Sequence, residues 1–565
     1  MIKKDFFKIT RRRFLKITGS GSALLVFSNP LKILSNILSA NVIARNDLGV
    51  SLNTSNATGY NFKILDLAQV SDIHIVDDKN PLRFENLKLF DQVPLNLEYL
   101  DKFIQTITRD QDTFSGRGWD ATIKSINNKN SQDPIDFVIC TGDHTDTDIE
   151  KELSWFIEIA DGYKSDTYKI AVKEGSIKDV DPVGFDLPWY TTLGNHDVEY
   201  EGTANNEGVI EALTPIFGAD AEDLCNQNEA IDKYKTSITS PWWHGFDLQP
   251  PQDYYQWEGY YSFDPNPYIH CIVLNTANYN AEDGAYVDRT WNFSKGTLNR
   301  VQFEWMKDEI EDNPDKLCLI FSHHGPRSFL DDTKNVPADE LRATLASYEN
   351  VIAHINGHTH KNHIEAVKDD NGGGYWDINT CAIIDWPQEW RRIAIWDNGD
   401  GTGVIKCRMF QHEDRECLDV AYNDPDANHE TREGGPEDRD VDLDFEIPEQ
   451  VAENIRDNPP EDESATGEDD TGSNKTPLFD GGSDDKCFIA TAAFGSTMEP
   501  EVITLREFRD TMLKPHTIGR LFIKAYYWLS PPIAAFIASR PRMKAIVRYL
   551  FRPLIHIIKC HYLGR

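Results

Sequence analysis

The sequence lacks several features that would classify it quickly. Nine cysteines in 565 residues, with no C-x-x-C pair among them, exclude a disulfide framework. Cys140, Cys271 and Cys318 lie inside apolar runs and are expected as buried free thiols, while Cys407 and Cys417 are candidates for a pair. No long apolar run crosses a membrane cleanly. The stretch ITGSGSALLVF at 17–27 is too short, and Lys524, Pro541 and Pro553 interrupt the apolar C-terminal region. Basic charge is also missing from the middle of the chain. Net charge is −36, and residues 45–412 carry 31 basic against 62 acidic side chains, which excludes the footprint of a nucleic-acid duplex binder. There is no H-E-x-x-H motif and no repeat of fixed period.

What is present divides the chain into four parts. Residues 1–44 are basic, with eight basic residues and one acidic. From 60 to 412, apolar strand-like runs alternate with helical stretches, the pattern of an α/β layered domain. The predicted strands are KILDLAQV (63–70), DFVIC (136–140), PWYTTL (188–193), YIHCIVLNT (268–276), KLCLIF (316–321) and VIAHI (351–355). Helical spacing appears in NLEYLDKFIQTI (96–107) and DIEKELSWFIEIA (148–160). The aromatic segment 241–261 is read first as a packed insertion and second as a surface for stacking on substrate. Residues 413–486, with 26 acidic and six basic side chains, read as a disordered acidic linker, including the alternating acids EDRDVDLDFE at 437–446. Residues 487–565 turn basic and apolar and read as a small α-helical module, its helices packed on one another or lying in a membrane interface.

Chelating residues follow five of the predicted strands. Ser71-Asp72-Ile-His74 comes after the first, Gly142-Asp143-His144-Thr-Asp146 after the second and Gly194-Asn195-His196-Asp197 after the third. Ser322-His323-His324 and Asn356-Gly-His358-Thr-His360 follow the last two. Loops beyond the carboxyl ends of strands in an α/β sheet gather into one crevice, so residues this far apart can meet. Four histidines fall within ten residues in HINGHTHKNH (354–363), yet that tract alone is only a compositional hint. Carboxylate, amide and imidazole donors without thiolate suit Mn, Fe or Zn. Seven candidate ligands are too many for one tetrahedral ion and enough for two ions sharing a carboxylate.

This order of motifs, D-x-H, G-D-x-x-D, G-N-H-D, H and G-H-x-H, resembles the calcineurin-like metallophosphoesterases over about residues 63–410. The resemblance implies a layered β-sandwich flanked by helices and a binuclear centre. It implies that Asp72, His74 and His360 hold one metal, that Asn195, His323 and His358 hold the other, and that Asp143 bridges them. His196 would then stabilise the transition state or protonate the leaving oxygen, oriented by Asp197, with Asp146 standing behind the ligands. His324 is the alternative to His323, and His144, His354 and His363 are read as ordinary loop or core histidines. The implied activity is hydrolysis of small phosphate esters, monoesters or nucleotides, by a metal-bridging hydroxide. Diesters or cyclic nucleotides are the alternative substrates, and a non-catalytic metal-binding envelope protein is the alternative of another class.

Two further resemblances concern the ends. TRRRFLK at 10–16, followed by a Gly/Ser-diluted apolar stretch, looks like a twin-arginine export signal, with cleavage positions near Ala40 or Ala44 and a destination in the periplasm or envelope. CFIATAAFGS at 487–496 resembles a small C-terminal module of bacterial envelope proteins named for its C-F-I box. It makes residues 487–565 a candidate for membrane or envelope association.

Overall fold

The computed structural model describes residues 42–50, 54–80, 83, 109–165, 168–169, 175–199, 201–202, 224–225, 227–248, 250, 258–277, 294–330, 335–369, 373–425, 427–460 and 505. The signal region and the C-terminal module therefore lie outside the described residues, apart from 42–44 and 505.

Each of the six apolar runs is a strand: β1 Phe62–Val70, β2 Phe137–Thr141, β3 Trp189–Thr192, β5 Ile269–Val273, β6 Leu317–Phe321 and β7 Val351–Asn356. To these the chain adds β4 Tyr261–Asn266, β8 His363–Lys368, β9 Gly374–Asn379, β10 Glu389–Asp397, β11 Thr402–Gln411 and β12 Val441–Glu446. One sheet places β12, β11, β10, β1, β2 and β3 side by side, and the other runs β4-β5-β6-β7-β9-β8. In the first sheet β1, β2 and β3 are parallel, while β10 joins β1 antiparallel. In the second, β5, β6, β7 and β9 are parallel. All residues of β2, β5, β6 and β7 are buried, which is why they read as continuous apolar runs and not as alternating ones.

The sheets meet face to face. Tyr190 of β3 stacks on Phe263 of β4 with centroids 3.9 Å apart, and Gln69 Nε2 donates to Asn356 O at 2.9 Å. Helices cover the outer faces. Helix α1, Ser115–Gln132, buries Trp119, Ile123 and Ile126, and α2, Glu150–Asp161, buries Leu153, Phe156, Ile157 and Ala160. Acidic Glu150 and Glu152 favour the positive start of α2, and Gly162 at φ 67° ends it in the left-handed conformation. A short α3, Gln227–Lys233, is followed by α4, Arg300–Asp312, and α5, Ala338–Ser347. The last two pack Phe303, Met306, Ile310, Leu341 and Leu345 into one core with Ile272, Cys318 and Ile320.

Two expectations change, and one pair of alternatives is decided for the first of them. The acidic stretch taken as a linker is folded as far as 460, forming α6 Arg415–Asn423, α7 His429–Arg432, β12 and α8 Glu449–Asp457. Val441, Leu443 and Phe445 are buried while Asp442 and Asp444 alternate with them at partial exposure, so the acids of β12 occupy the outer face of a strand. Second, Cys407 and Cys417 do not pair. Both are free and buried, Cys407 opposite Ile393 in the sheet and Cys417 in α6. Third, the described part of the aromatic segment is packing: Trp243, Phe246 and Tyr261 are buried, and His244 stacks on Trp189 at 3.2 Å. No helix among the described residues is long and apolar enough to cross a membrane.

Candidate metal centre

The five chelating segments leave parallel strands at their carboxyl ends and converge. The turns are tight. Asp72, His74, Asp143, His358 and His360 all have positive φ, between 48° and 69°. Such backbone costs about 1–3 kcal/mol per non-glycine residue and persists where the surroundings enforce it. Gly142, at φ +87°, shows the crowding: a Cβ there would sit 2.7 Å from both His323 Nδ1 and Gly194 N.

Asp143 lies between two groups of imidazoles. Its Oδ2 is 3.6 Å from His74 Nε2 and 3.2 Å from His323 Nε2. Asp72 Oδ1 is 3.2 Å from His360 Nε2, and Asn195 Oδ1 is 3.2 Å from His323 Nε2. Ligand atoms of Asp72, His74, Asp143 and His360 lie within 4.8 Å of one another, as do those of His323, His324 and His358. Asp72 Oδ1 and His74 Nε2 are buried and make no hydrogen bond among the described residues. Buried polar atoms are normally satisfied, so this donor set fits cations and would be costly without them. The family of donors is that of a binuclear site with His and Asp ligands.

The outer nitrogens fix the rings. His74 Nδ1 faces Asp146 Oδ1 at 3.0 Å, His360 Nδ1 faces Asp385 Oδ2 at 2.5 Å, and His323 Nδ1 donates to Thr141 O at 2.7 Å. Each partner accepts from Nδ1 and leaves Nε2 turned to the centre, the usual support for a ligating histidine. Burial alone would lower His323 and His360. The carboxylates beside them, Asp143 for the first and Asp72 with Asp385 for the second, outweigh it and push both up to about 9. Burial, followed by the positive charge of His323, drives His358 down to about 3. Burial opposes ionisation of Asp72 as well, yet His360 holds its carboxyl far below the usual range.

Several residues of this network had no motif to mark them. Arg109 reaches both orienting carboxylates, Nη2 standing 3.2 Å from Asp146 Oδ1 and Nε 3.9 Å from Asp385 Oδ1. Fully buried Arg83 donates to Asp146 Oδ2 at 2.8 Å, and Arg432 Nη1 meets Asp385 Oδ2 at 2.6 Å. Burial would raise Asp146, but Arg109 and Arg83 hold it well below its ordinary value. Asp385 follows β9 inside CAIIDWP, where a lone acid gives no signal; its position just beyond a parallel strand was the available clue.

Asp197 is a correction. Its carboxylate accepts from the amides of His144, Thr145 and Gly194 at 2.8–3.0 Å and pairs with His144 Nδ1 at 2.9 Å. It ties the β2 and β3 loops together and leaves His196 to Asp146, whose carbonyl accepts from His196 Nδ1 at 2.6 Å. The His196 ring stands 4.6 Å from His74, at the edge of the centre. His144 is a buried core residue, His354 meets Ser322 Oγ at 2.7 Å within β7, and His363 is exposed beside Asp438. His324 is close to the centre too, its ring 4.3 Å from His358, with Nδ1 3.0 Å from Thr276 Oγ1.

A two-sheet α/β fold that collects Asp and His donors at the ends of its parallel strands defines a metal-dependent phosphoester hydrolase. Residues 65–362, more than half of the chain, match the model for the calcineurin-like phosphoesterases, and the chain belongs to that family. Among solved structures it is similar to a dimetal phosphatase from Danio rerio, at 11% identity and TM-score 0.33, covering 62% of this chain and 100% of the other. A purple acid phosphatase from yellow lupin (Lupinus luteus) seeds shows 11% identity and TM-score 0.33, with 69% and 55% covered. The protein described as the anchor in the inner membrane complex of Plasmodium shows 12% identity and TM-score 0.31, with 65% and 90% covered. The comparison with curated proteins gave no match.

Proposed function

We propose that this chain is a binuclear phosphatase that hydrolyses small phosphate monoesters or nucleotides outside the cytoplasm. The observation that carries the reading is the carboxylate of Asp143, 3.6 Å from His74 and 3.2 Å from His323, between two groups of donors from five strand ends. Asp72, His74 and His360 would hold one ion, Asn195, His323 and His358 the other, and Asp143, lying between the two groups, would serve both. Ions held there supply Lewis acidity toward a phosphoryl oxygen and a lowered pKa for water. His196, held through Nδ1 by the Asp146 carbonyl, keeps Nε2 for the ester and donates a proton to the departing oxygen. Asp146 and Asp385 orient His74 and His360. The twin-arginine-like TRRRFLK at 10–16 supports export, and the C-F-I box at 487–496 supports attachment to the envelope through 487–565.

Metal analysis combined with a panel of aryl phosphates, aryl diesters and nucleotides tests the assignment. Asp143→Asn should lose bound metal together with rate. His196→Ala should keep its metal and lose about 10²–10⁴ in kcat. Full activity in Asp143→Asn, or two bound metals with no turnover of any ester, would sink the reading.

A further inference from the structure

We propose that the cleft beside His358 and His360 recognises a second anionic group on the leaving side of the substrate. The preferred esters are then those whose leaving group carries its own carboxylate or phosphate. This inference rests on the phosphatase reading and deepens it. The cleft has a volume of about 550 Å³, a size that admits a small-molecule ligand, and no carboxylate is among its described lining residues. That absence matters in a chain with 93 acidic and 57 basic side chains. Its polar wall is cationic: Lys361 directly follows His360, and α7 brings Arg432.

The two cations differ in kind. Arg432 is mostly buried and fixed by Asp385 at 2.6 Å, so part of its charge is already answered. Lys361 is exposed and makes no ion pair among the described residues, so its ammonium remains for a ligand. An ester lodged at the imidazoles of His358 and His360 extends its leaving group along this wall. A neutral leaving group gains little there, whereas an anionic one gains the Lys361 charge.

Hydrolysis of phenyl phosphate and 4-carboxyphenyl phosphate by the metal-loaded full chain tests this, together with calorimetric binding of the two matching phosphonates. The carboxylated ester should have the higher kcat/KM. Lys361→Ala should remove about fivefold of that preference while leaving phenyl phosphate unchanged, and Lys361→Glu should remove more. Equal rates and equal affinities in the wild type overturn the proposal, as does a preference untouched by both substitutions. If neither ester is hydrolysed but the carboxylated phosphonate binds more tightly and Lys361→Ala abolishes the difference, the anion cleft stands and the phosphatase reading falls.

Discussion

His354 and His412 are buried away from the centre, and burial drives their pKa values down to about 3 and about 4 from 6.5. Both are neutral in the folded protein, while the unfolded chain protonates them as pH falls through 6.5. Their stabilising effect is complete above that pH and is lost below it, by about 2 kcal/mol per histidine near pH 5. Urea unfolding of His354→Gln should show a pH 7 to 5 loss about 2 kcal/mol smaller than wild type, and parallel curves would contradict this. Gly142 is the other sensitive position. Gly142→Ala adds a Cβ at φ +87° against His323 and should destabilise by about 1–3 kcal/mol and lower metal content, measured by thermal melts and metal analysis. The residues that converge at the candidate centre were legible because each follows an apolar run directly. Asp385, Arg109 and Arg432 were not, since a single charged residue in a loop looks like any solvated one.

Pairs of elements explain what single residues do not. Arg109 belongs to the segment before α1, yet it touches the carboxylates that orient histidines from the β1 and β7 loops. Arg109→Met should weaken metal binding about 10–100-fold with secondary structure intact, read by titration calorimetry and circular dichroism. Arg109→Lys should recover only part, because a point charge cannot serve two carboxylates as a planar fork does. Strand β12 teaches a different lesson about legibility. Its composition is acidic, but its period is two, with Val441, Leu443 and Phe445 inward. Periodicity was the available signal for this strand, and a reading by average composition passed over it.

At the scale of the molecule, the folded part of the acidic stretch belongs with the layered domain. Strand β12 pairs with β11 from Thr402↔Glu446 to Cys407↔Val441, and α8 buries Val451, Ala452 and Ile455. A chain ending after 412 should therefore fail to melt cooperatively, whereas one ending after 460 should melt cooperatively and bind metal. Calorimetry of the two truncations decides it, and a stable, metal-loaded 1–412 fragment would refute the boundary. The α/β class was visible in the six apolar runs, as were the parallel strands β1, β2 and β3 of the first sheet and β5, β6 and β7 of the second. The first sheet's antiparallel half was not, because β10 and β11 mix arginine and lysine with tryptophan and isoleucine in strands that are only partly covered.

The pairing of β1 with β10 joins Leu67 to Ile393. During synthesis the first strand leaves the ribosome more than three hundred residues before this neighbour exists. His358 and His360 emerge only slightly earlier, so an ion arriving at the nascent chain meets Asp72 and His74 without their partners. Closure of so distant a pair is slow compared with local structure formation. Assembly of the sheet and of its centre is therefore a late event, completed when nearly the whole domain has been made, and any transport of the folded form has to wait for it.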